Sequence, residues 1–411
     1  MAYTVNGIEV INDESAFVHE SFPQIVGTTQ STENKITASD GAAEDRFGYS
    51  LAVGSGRIVV GSLYDDDNGS NSGSAYIFDL NGNELAKITA SDGAANDFFA
   101  NQTGIAIGSG RIVVGATGDD DNGADSGSAY IFDLDGNELS KITASDCAAG
   151  DVFGAPVSIG SGRIVVGSRW DDDNGTNSGS AYIFDLDGNE LTKITASDGT
   201  EFDVFGWSLA VDCGRIVVGA PLDDDNSTDS GSAYIFDLDG NELAKITASD
   251  GVAEDQFGYS VAVGSGRIVV GAPLSDDNGL LSGSAYIFDL DGNQLAKITA
   301  SDAAADDQFG SAVSVGSGRI VVSAFWDGDN GVKSGSAYVF DLDGNQLDKI
   351  TASDGAAEDR FGYSVAVGSG RIVVGSIYDS DNGTNSGSAY IYSLSEDHNT
   401  YWERILDTYK Y

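Results

Sequence analysis

Lys35–Ala86 reads KITASDGAAEDRFGYSLAVGSGRIVVGSLYDDDNGSNSGSAYIFDLNGNELA, and nearly all of the chain after it copies this stretch. The KITASD opening returns at Lys87, Lys141, Lys193, Lys245, Lys297 and Lys349, which makes seven copies. The step is 52 residues, except for 54 between Lys87 and Lys141, where Phe99–Ile107 holds two extra residues. A fixed period of this length marks a solenoid, a propeller or an array. Each copy holds four short apolar runs, which in the first are Phe47–Val53, Arg57–Gly61, Ser74–Leu80 and the run from Glu84 into the next KITAS. These runs are rich in Val, Ile, Tyr and Phe and are bounded by Gly, Asp, Asn and Ser, the pattern of strands. Gly54-Ser55-Gly56 predicts a tight hairpin, and Asn81-Gly82 (Asp-Gly in five later copies) predicts a two-residue turn. Seven units of four antiparallel strands predict an all-β fold, a seven-bladed β-propeller.

Alternation within the first strand predicts how blades stack. Phe47, Tyr49, Leu51 and Val53 share one face, and Gly48, Ser50 and Ala52 share the other. A bulky face can then settle on the small-residue face of its neighbour. The phase of the repeat predicts the closure. The chain enters at Lys35 on an outermost, fourth strand and leaves at Ser388–Leu394 on a third, so Lys35–Ser39 is expected to complete blade seven and remove two exposed edges.

These residues resemble the FG-GAP repeat, the propeller unit of integrin α-subunit heads. Phe-Gly opens the first strand at Phe47-Gly48, Phe153-Gly154, Phe205-Gly206, Phe257-Gly258, Phe309-Gly310 and Phe361-Gly362, with Phe99-Ala100 as the departure. Gly-Ala-Pro follows the second strand at Gly219-Ala220-Pro221 and Gly271-Ala272-Pro273 and has drifted elsewhere, as at Gly61-Ser62 and Ser323-Ala324. The likeness spans about residues 35–394 and implies the propeller fold; propellers host many activities, so it says little about function. Calcium-binding members of the family carry an Asp-rich loop between the first and second strands. Here that loop is Gly-Ser-Gly and the acidic run sits in the second loop, so no calcium ligand carries over from the family.

The acidic loop recurs as Asp-x-Asp-Asn-Gly-x-x-Ser-Gly. Its candidate cation ligands are Asp65, Asp67 and Asn68; Asp119, Asp121 and Asn122; Asp171, Asp173 and Asn174; Asp223, Asp225 and Asn226; Asp327, Asp329 and Asn330; and Asp379, Asp381 and Asn382. Two carboxylates and an amide in a short Gly-enabled turn suit a hard cation such as Ca²⁺, which takes six to eight oxygens. The competing reading is that Asp, Asn, Gly and Ser are ordinary turn formers. The fifth loop lacks its first Asp (Ser275) and carries Leu280-Leu281, and the sixth carries Lys333, which makes these the weakest candidates. Ser39–Asp45 joins the fourth strand to the next first strand and should emerge on the same face, leaving the opposite face with short Gly turns.

Among copies this similar, the positions that vary are informative. Before each acidic loop stand Tyr64, Gly118, Trp170, Leu222, Leu274, Trp326 and Tyr378, and Arg169 precedes Trp170. Tyr64, Arg169, Trp170, Trp326 and Tyr378 are candidate ligand-binding residues, because rings beside carboxylates and amides hold sugars by stacking plus hydroxyl hydrogen bonds. The alternative is that the rings cover the blade rim. No Ser-His-Asp or Cys-His set is visible, and the two histidines, His19 and His398, lie outside the repeats, so no catalytic residue is assigned.

Sixty-five acidic against twenty basic residues give a net charge of −45, which argues against nucleic acid and anionic membranes as partners. Fourteen of the twenty basic residues are the KITAS lysines and the Arg before each IVV run, expected to protect strand edges and to pair with nearby carboxylates respectively. Cys147 and Cys213 fall on loops at opposite ends of a propeller and are expected to be free thiols. No run is long enough to insert into a membrane, and Met1–Ile11 has no basic start or long apolar run of a signal peptide.

Two tails flank the repeats. Residues 1–34 open with Tyr3–Ile11, a hairpin pattern around Asn6-Gly7, and this opening is similar to the N-termini of structural and tail-fibre-like proteins of marine cyanobacterial phages. That resemblance implies a segment docking onto other virion proteins; a disordered leader is the alternative. Residues 395–411 carry a capping box at Thr400 and Glu403, with Trp402, Ile405, Leu406 and Tyr409 on one helical face. The expectation is a non-enzymatic binding or adhesion module with a protein or glycan partner and some cation dependence. Its expected place is on a virion, or on a cell surface reached without a signal peptide. The alternatives are a purely structural decoration or spacer and, more distantly, a hydrolase or lyase.

Overall fold

The computed structural model describes residues 2–5, 8–11 and 33–394. Chain contacts divide it into two units, Met1–Ser31 and Thr32–Tyr411. In the first, Ala2–Val5 pairs antiparallel with Ile8–Ile11 across Asn6-Gly7, the hairpin read from the sequence. The capping-box helix of the C-terminal tail lies outside the described residues. The second unit holds seven four-stranded antiparallel sheets, six of them built from four consecutive strands in chain order.

Blade one comprises Phe47–Gly54, Arg57–Ser62, Ser74–Asp79 and Glu84–Ile88. The last blade comprises Phe361–Gly368, Arg371–Ser376 and Ser388–Ser393, and its fourth strand is Asn34–Ile36 from the start of the repeats. Asn34 pairs with Ile391, Lys35 with Tyr390 and Ile36 with Ala389, so the ring closes where the phase of the repeat requires. The backbone continues the seam: Phe47 N–H donates to Ser386 O at 2.8 Å, as Phe99 does to Ser72 O within the chain at 3.0 Å.

Each core cluster lies between two blades. Phe47, Ile58, Val60, Tyr76 and Phe78 of blade one pack on Val373, Ala389 and Ile391 of blade seven. The other face of blade one, with Ala52, Val59, Ala75 and Ile77, receives Phe99, Ile112, Val114, Tyr130 and Phe132 of blade two. The bulky-on-small stacking therefore holds, and burying each large apolar side chain is worth roughly 1.5–3 kcal/mol. Phe47 meets Tyr76 and Phe78 edge-on at 5.5 and 5.9 Å. Gly48 follows at φ 95°, where a Cβ would lie 2.5 Å from Ser388 O of the preceding blade. Phe-Gly is thus a knob followed by a place where two backbones touch.

Two local expectations are corrected. Tyr49 does not lie with Phe47: the strand slips between Phe47 and Leu51, pairing them with Ser62 and Val60. That bulge turns Tyr49 inward to the propeller axis, where it lines the central cavity. Asn81-Gly82 is not a two-residue turn either. Asp79 caps a longer loop, accepting from the N–H of Asn81 at 2.8 Å and of Asn83 at 2.9 Å. The Gly-Ser-Gly hairpin does form a two-residue turn, with Gly54 opposite Arg57.

Candidate functional site

The second-to-third-strand loops and the fourth-to-first connections share one face, as read from the sequence. What sits at their centre is a lysine. In blade one the Lys87 Nζ lies 2.8 Å from Asp40, 2.9 Å from Asp65 and 2.5 Å from Asp67. The Tyr76 hydroxyl is 2.7 Å from Asp40 and 3.0 Å from Asp65 and has one proton to share between them. Blade two repeats the set with Lys141, Asp92, Asp119 and Asp121, blade three with Lys193, Asp146, Asp171 and Asp173, and blade four with Lys245, Asp198, Asp223 and Asp225. Blade six uses Lys349, Asp302, Asp327 and Asp329, and blade seven uses Lys35 from the closing strand with Asp354, Asp379 and Asp381. In blade five Ser275 removes one carboxylate, and Lys297 keeps Asp250 and Asp277.

The KITAS lysines are therefore not edge protection. Each belongs to a charge cluster built from two successive copies: the Asp of one KITASD, the two loop aspartates, and the Lys of the next KITASD. The sequence-derived ligands Asp65, Asp67 and their equivalents lie in these clusters, while Asn68, Asn122, Asn174, Asn226, Asn330 and Asn382 make no side-chain hydrogen bond among the described residues. Five of those asparagines instead use the backbone N–H, as Asn68 does toward Ser72 Oγ at 3.2 Å. The third carboxylate, the Asp40 series, was missed.

In four blades the three carboxylate groups offer oxygens within 4.8 Å of one another, an arrangement that could hold a metal ion. Three carboxylates and a tyrosine hydroxyl carry seven oxygens, within the six to eight calcium takes, but the ammonium already fills their centre. With lysine in place the set does not fit calcium. With lysine withdrawn it offers a metal three anionic donors.

Titration follows from this geometry. Burial alone would lower the Lys87 ammonium, but hydrogen bonds to Asp40, Asp67 and Asp65 hold its pKa well above the ordinary 10.5. Burial would raise Asp40, yet hydrogen bonds from Lys87 and Tyr76 keep it below the usual carboxylate value. Burial together with hydrogen bonding to Asp40 pushes the Tyr76 phenol far above its usual value. Asp45, buried beside the cluster and bonded only by the Ala42 N–H, is pushed up to about 6. A raised Lys or Tyr contributes stability in full below its unfolded pKa and loses it as pH rises through the folded value. The lowered Asp40 series contributes above its unfolded value and loses it as pH falls. Denaturant midpoints should accordingly drop once the pH passes the ordinary lysine value of 10.5; an unchanged midpoint between pH 9 and 11.5 would refute the cluster as a source of stability.

The opposite face is not merely short Gly turns. The third-to-fourth-strand loops place Asp135, Asp239, Asp291 and Asp343 there, each more than four-fifths exposed. The Arg before each IVV run pairs with them only loosely, at 3.5–3.9 Å in four blades. Four of these arginines also donate Nε to a neighbouring blade's carbonyl, as Arg371 does to Leu80 O at 3.0 Å.

The variable aromatic positions converge on the acidic-loop face. The Lys333 ammonium lies 4.4 Å above the Trp326 ring, and the Arg360 guanidinium lies 5.8 Å from Trp326 and 4.7 Å from Tyr378. Arg46 follows, 4.9 Å from Tyr378 and 4.6 Å from Tyr64, and Tyr64 meets Phe98 at 6.2 Å. Cation and ring thus alternate in a crescent across blades six, seven, one and two. Arg169 stacks 5.6 Å from Trp170, which is 44% exposed, and 4.8 Å from Trp207. Six basic residues lie outside the repeat pattern: Arg46, Arg169, Lys333, Arg360, Arg404 and Lys410. The four among the described residues all stack on these rings. That signal was present in the sequence.

Both cysteines are free. No helix among the described residues is long and apolar enough to cross a membrane. A search of the curated proteins found no match. The FG-GAP repeat model, by contrast, matches residues 31–78, 83–132, 137–184, 189–236, 241–288, 293–340 and 345–392, one match per copy. With seven such repeats folded into seven blades, the chain belongs to the FG-GAP repeat family.

Proposed function

We propose that the protein is a non-enzymatic binding or adhesion module, and that it recognises its partner with the acidic-loop face. The observation that carries this is the crescent. Where seven nearly identical copies differ, the differences assemble into one continuous cation–aromatic surface spanning four blades. A scaffold that merely spaced two objects would have no need to break its own repeat there. Stacked guanidinium and aromatic groups suit a glycan or a protein loop. Residence on a virion, with residues 1–34 docking onto other particle proteins, is part of this proposal and rests on the likeness of the N-terminal opening. The lysines take the part of the cation, so recognition should proceed in chelator.

Trp326→Ala and Tyr378→Ala should each weaken retention on host cells or on an array of purified glycans by about thirtyfold, a loss of one interface hot spot of about 2 kcal/mol, with the melting point kept. Trp170→Ala, at the exposed ring outside the crescent, tests its edge. Tight incorporation into particles by a protein that binds neither cells nor glycans would favour the structural-spacer reading instead.

A further inference from the structure

The propeller axis holds a cavity of about 110 Å³ ringed by residues of all seven blades, among them Tyr49, Gln102, Arg169, Trp207, Tyr259 and Tyr363. A second cavity, of about 230 Å³, shares Tyr49, Gln102 and Arg169 as walls and opens beside Tyr64 and Phe98 of the crescent. In a chain with sixty-five acidic residues, no Asp or Glu among the described residues lines either cavity, and Arg169 is the one charged residue among them in both walls.

Two polar groups in these walls lack partners. The Arg169 Nε is buried without a hydrogen-bond acceptor, and burial lowers the guanidinium from its ordinary value. Asn101 is 6% exposed, and both its amide nitrogen and its amide oxygen are buried and unpaired. Unpaired buried polar groups cost free energy unless something completes them. Their origin in the sequence is specific. Asn101 and Gln102 belong to the two-residue excess of the second copy, and blade three puts the small Ala155 where blades one, four, five and seven put Tyr49, Trp207, Tyr259 and Tyr363. Blade six departs at the same position, with Ser311, but it is the changes in neighbouring blades two and three that admit an amide and a guanidinium to an aromatic-walled space.

We propose that this axial site binds a hexuronate, free or as the terminal residue of an acidic glycan. The sugar would lie across the two cavities: its carboxylate would meet the Arg169 guanidinium in their shared wall, its ring face would stack on Tyr49, also shared, and its hydroxyls would complete Asn101 in the second cavity. Small-ligand sites pair a few converging polar groups with apolar walls in this way, and a guanidinium fork matches a carboxylate. The net charge does not forbid an anion here. No described Asp or Glu lines the walls, so the charge nearest the ligand is the Arg169 guanidinium.

This assignment deepens the binding-module reading, and the test separates the two. Glucuronate, glucose and acetate are titrated into the full chain by calorimetry and NMR. Glucuronate is expected to bind about tenfold or more tightly than either of the others, the difference a charge-assisted bidentate contact supplies. Arg169→Gln should abolish the preference over glucose, and Arg169→Lys should keep only part of it. Binding of glucuronate no better than glucose or acetate, or a preference that survives Arg169→Gln, would overturn the assignment. Loss of cell or glycan binding in Trp326→Ala alongside that result would leave the module reading standing.

Discussion

Replacing Lys141 by methionine is expected to lower the melting temperature and to make it respond to calcium. The substitution keeps the apolar stem but removes the terminal ammonium and its charge, leaving Asp92, Asp119 and Asp121 with oxygens within 4.8 Å of one another. Asp119 is 6% exposed at its side chain, whereas Asp92 and Asp121 are 46% and 63% exposed. Breaking a fully buried pair costs about 3–5 kcal/mol and breaking a surface pair about 0–1. This cluster lies between those limits, so a loss of about 2 kcal/mol follows. Calcium at a hundred times its dissociation constant would return about 2.7 kcal/mol. The unaltered protein, whose ammonium occupies the same place, should melt identically in calcium and in chelator. A Lys141→Met protein that melts like its parent and ignores calcium would sink the idea that the lysines act as built-in cations.

How far the sequence exposes this arrangement depends on range. Strands, hairpins and closure were readable because turn residues punctuate each copy and because the chain enters and leaves the repeat out of phase. The Lys–Asp clusters were half readable. Asp65 and Asp67 sit two apart in one loop, but Asp40 is 47 residues from Lys87 and belongs to the copy before. No local pattern joins them. One lysine against three aspartates at fixed offsets in six of the seven copies was a signal, but the lysine reads most simply as an edge residue. The crescent was harder, because Arg46, Tyr64, Arg360 and Tyr378 come one or two to a blade and meet only across blade boundaries. Arg46, Phe98 and Arg360 also take left-handed backbone conformations, with φ of 53°, 54° and 55°, which no propensity assigns to such side chains. Tyr49 was misplaced because alternation carries no sign of a bulge.

The crescent and the clusters also divide the work of charge on one face. Each blade's lysine neutralises carboxylates that would otherwise repel one another at hydrogen-bond distance. Among the described residues, Arg46, Arg169, Lys333 and Arg360 are thereby left without carboxylate partners and lie on rings. Arg46 and Arg360 each have a buried Nε with no acceptor. A guanidinium that the protein itself does not satisfy keeps donors for a partner. The acidic character of the chain and the cation–ring crescent are compatible because they are separated at the scale of single side chains.

Removing residues 1–40 should abolish cooperative unfolding, whereas removing residues 1–31 should leave the melt unchanged. The contrast rests on where the seam begins. Asn34–Ile36 supplies the fourth strand of blade seven. Ile36 and Ala38 are buried beside Phe47 and Ile391, and Ile36 alone is worth roughly 1.5–3 kcal/mol. Lys35 is the ammonium of the seventh cluster, 2.8 Å from Asp354 and 2.7 Å from Asp379. Glu33 accepts from the Ser353 N–H at 3.1 Å and from the Tyr392 hydroxyl at 2.9 Å. The longer deletion removes all of these together and bares the edge of Ser388–Ser393, an apolar strand whose unpaired N–H and C=O groups invite pairing with another chain. The expected product is an open ring that aggregates and melts broadly. The shorter deletion stops before Glu33 and takes nothing from the closing strand. If the protein lacking residues 1–40 unfolded in a single sharp transition at the parent temperature, the closing strand would not be what holds the seven blades as one cooperative unit.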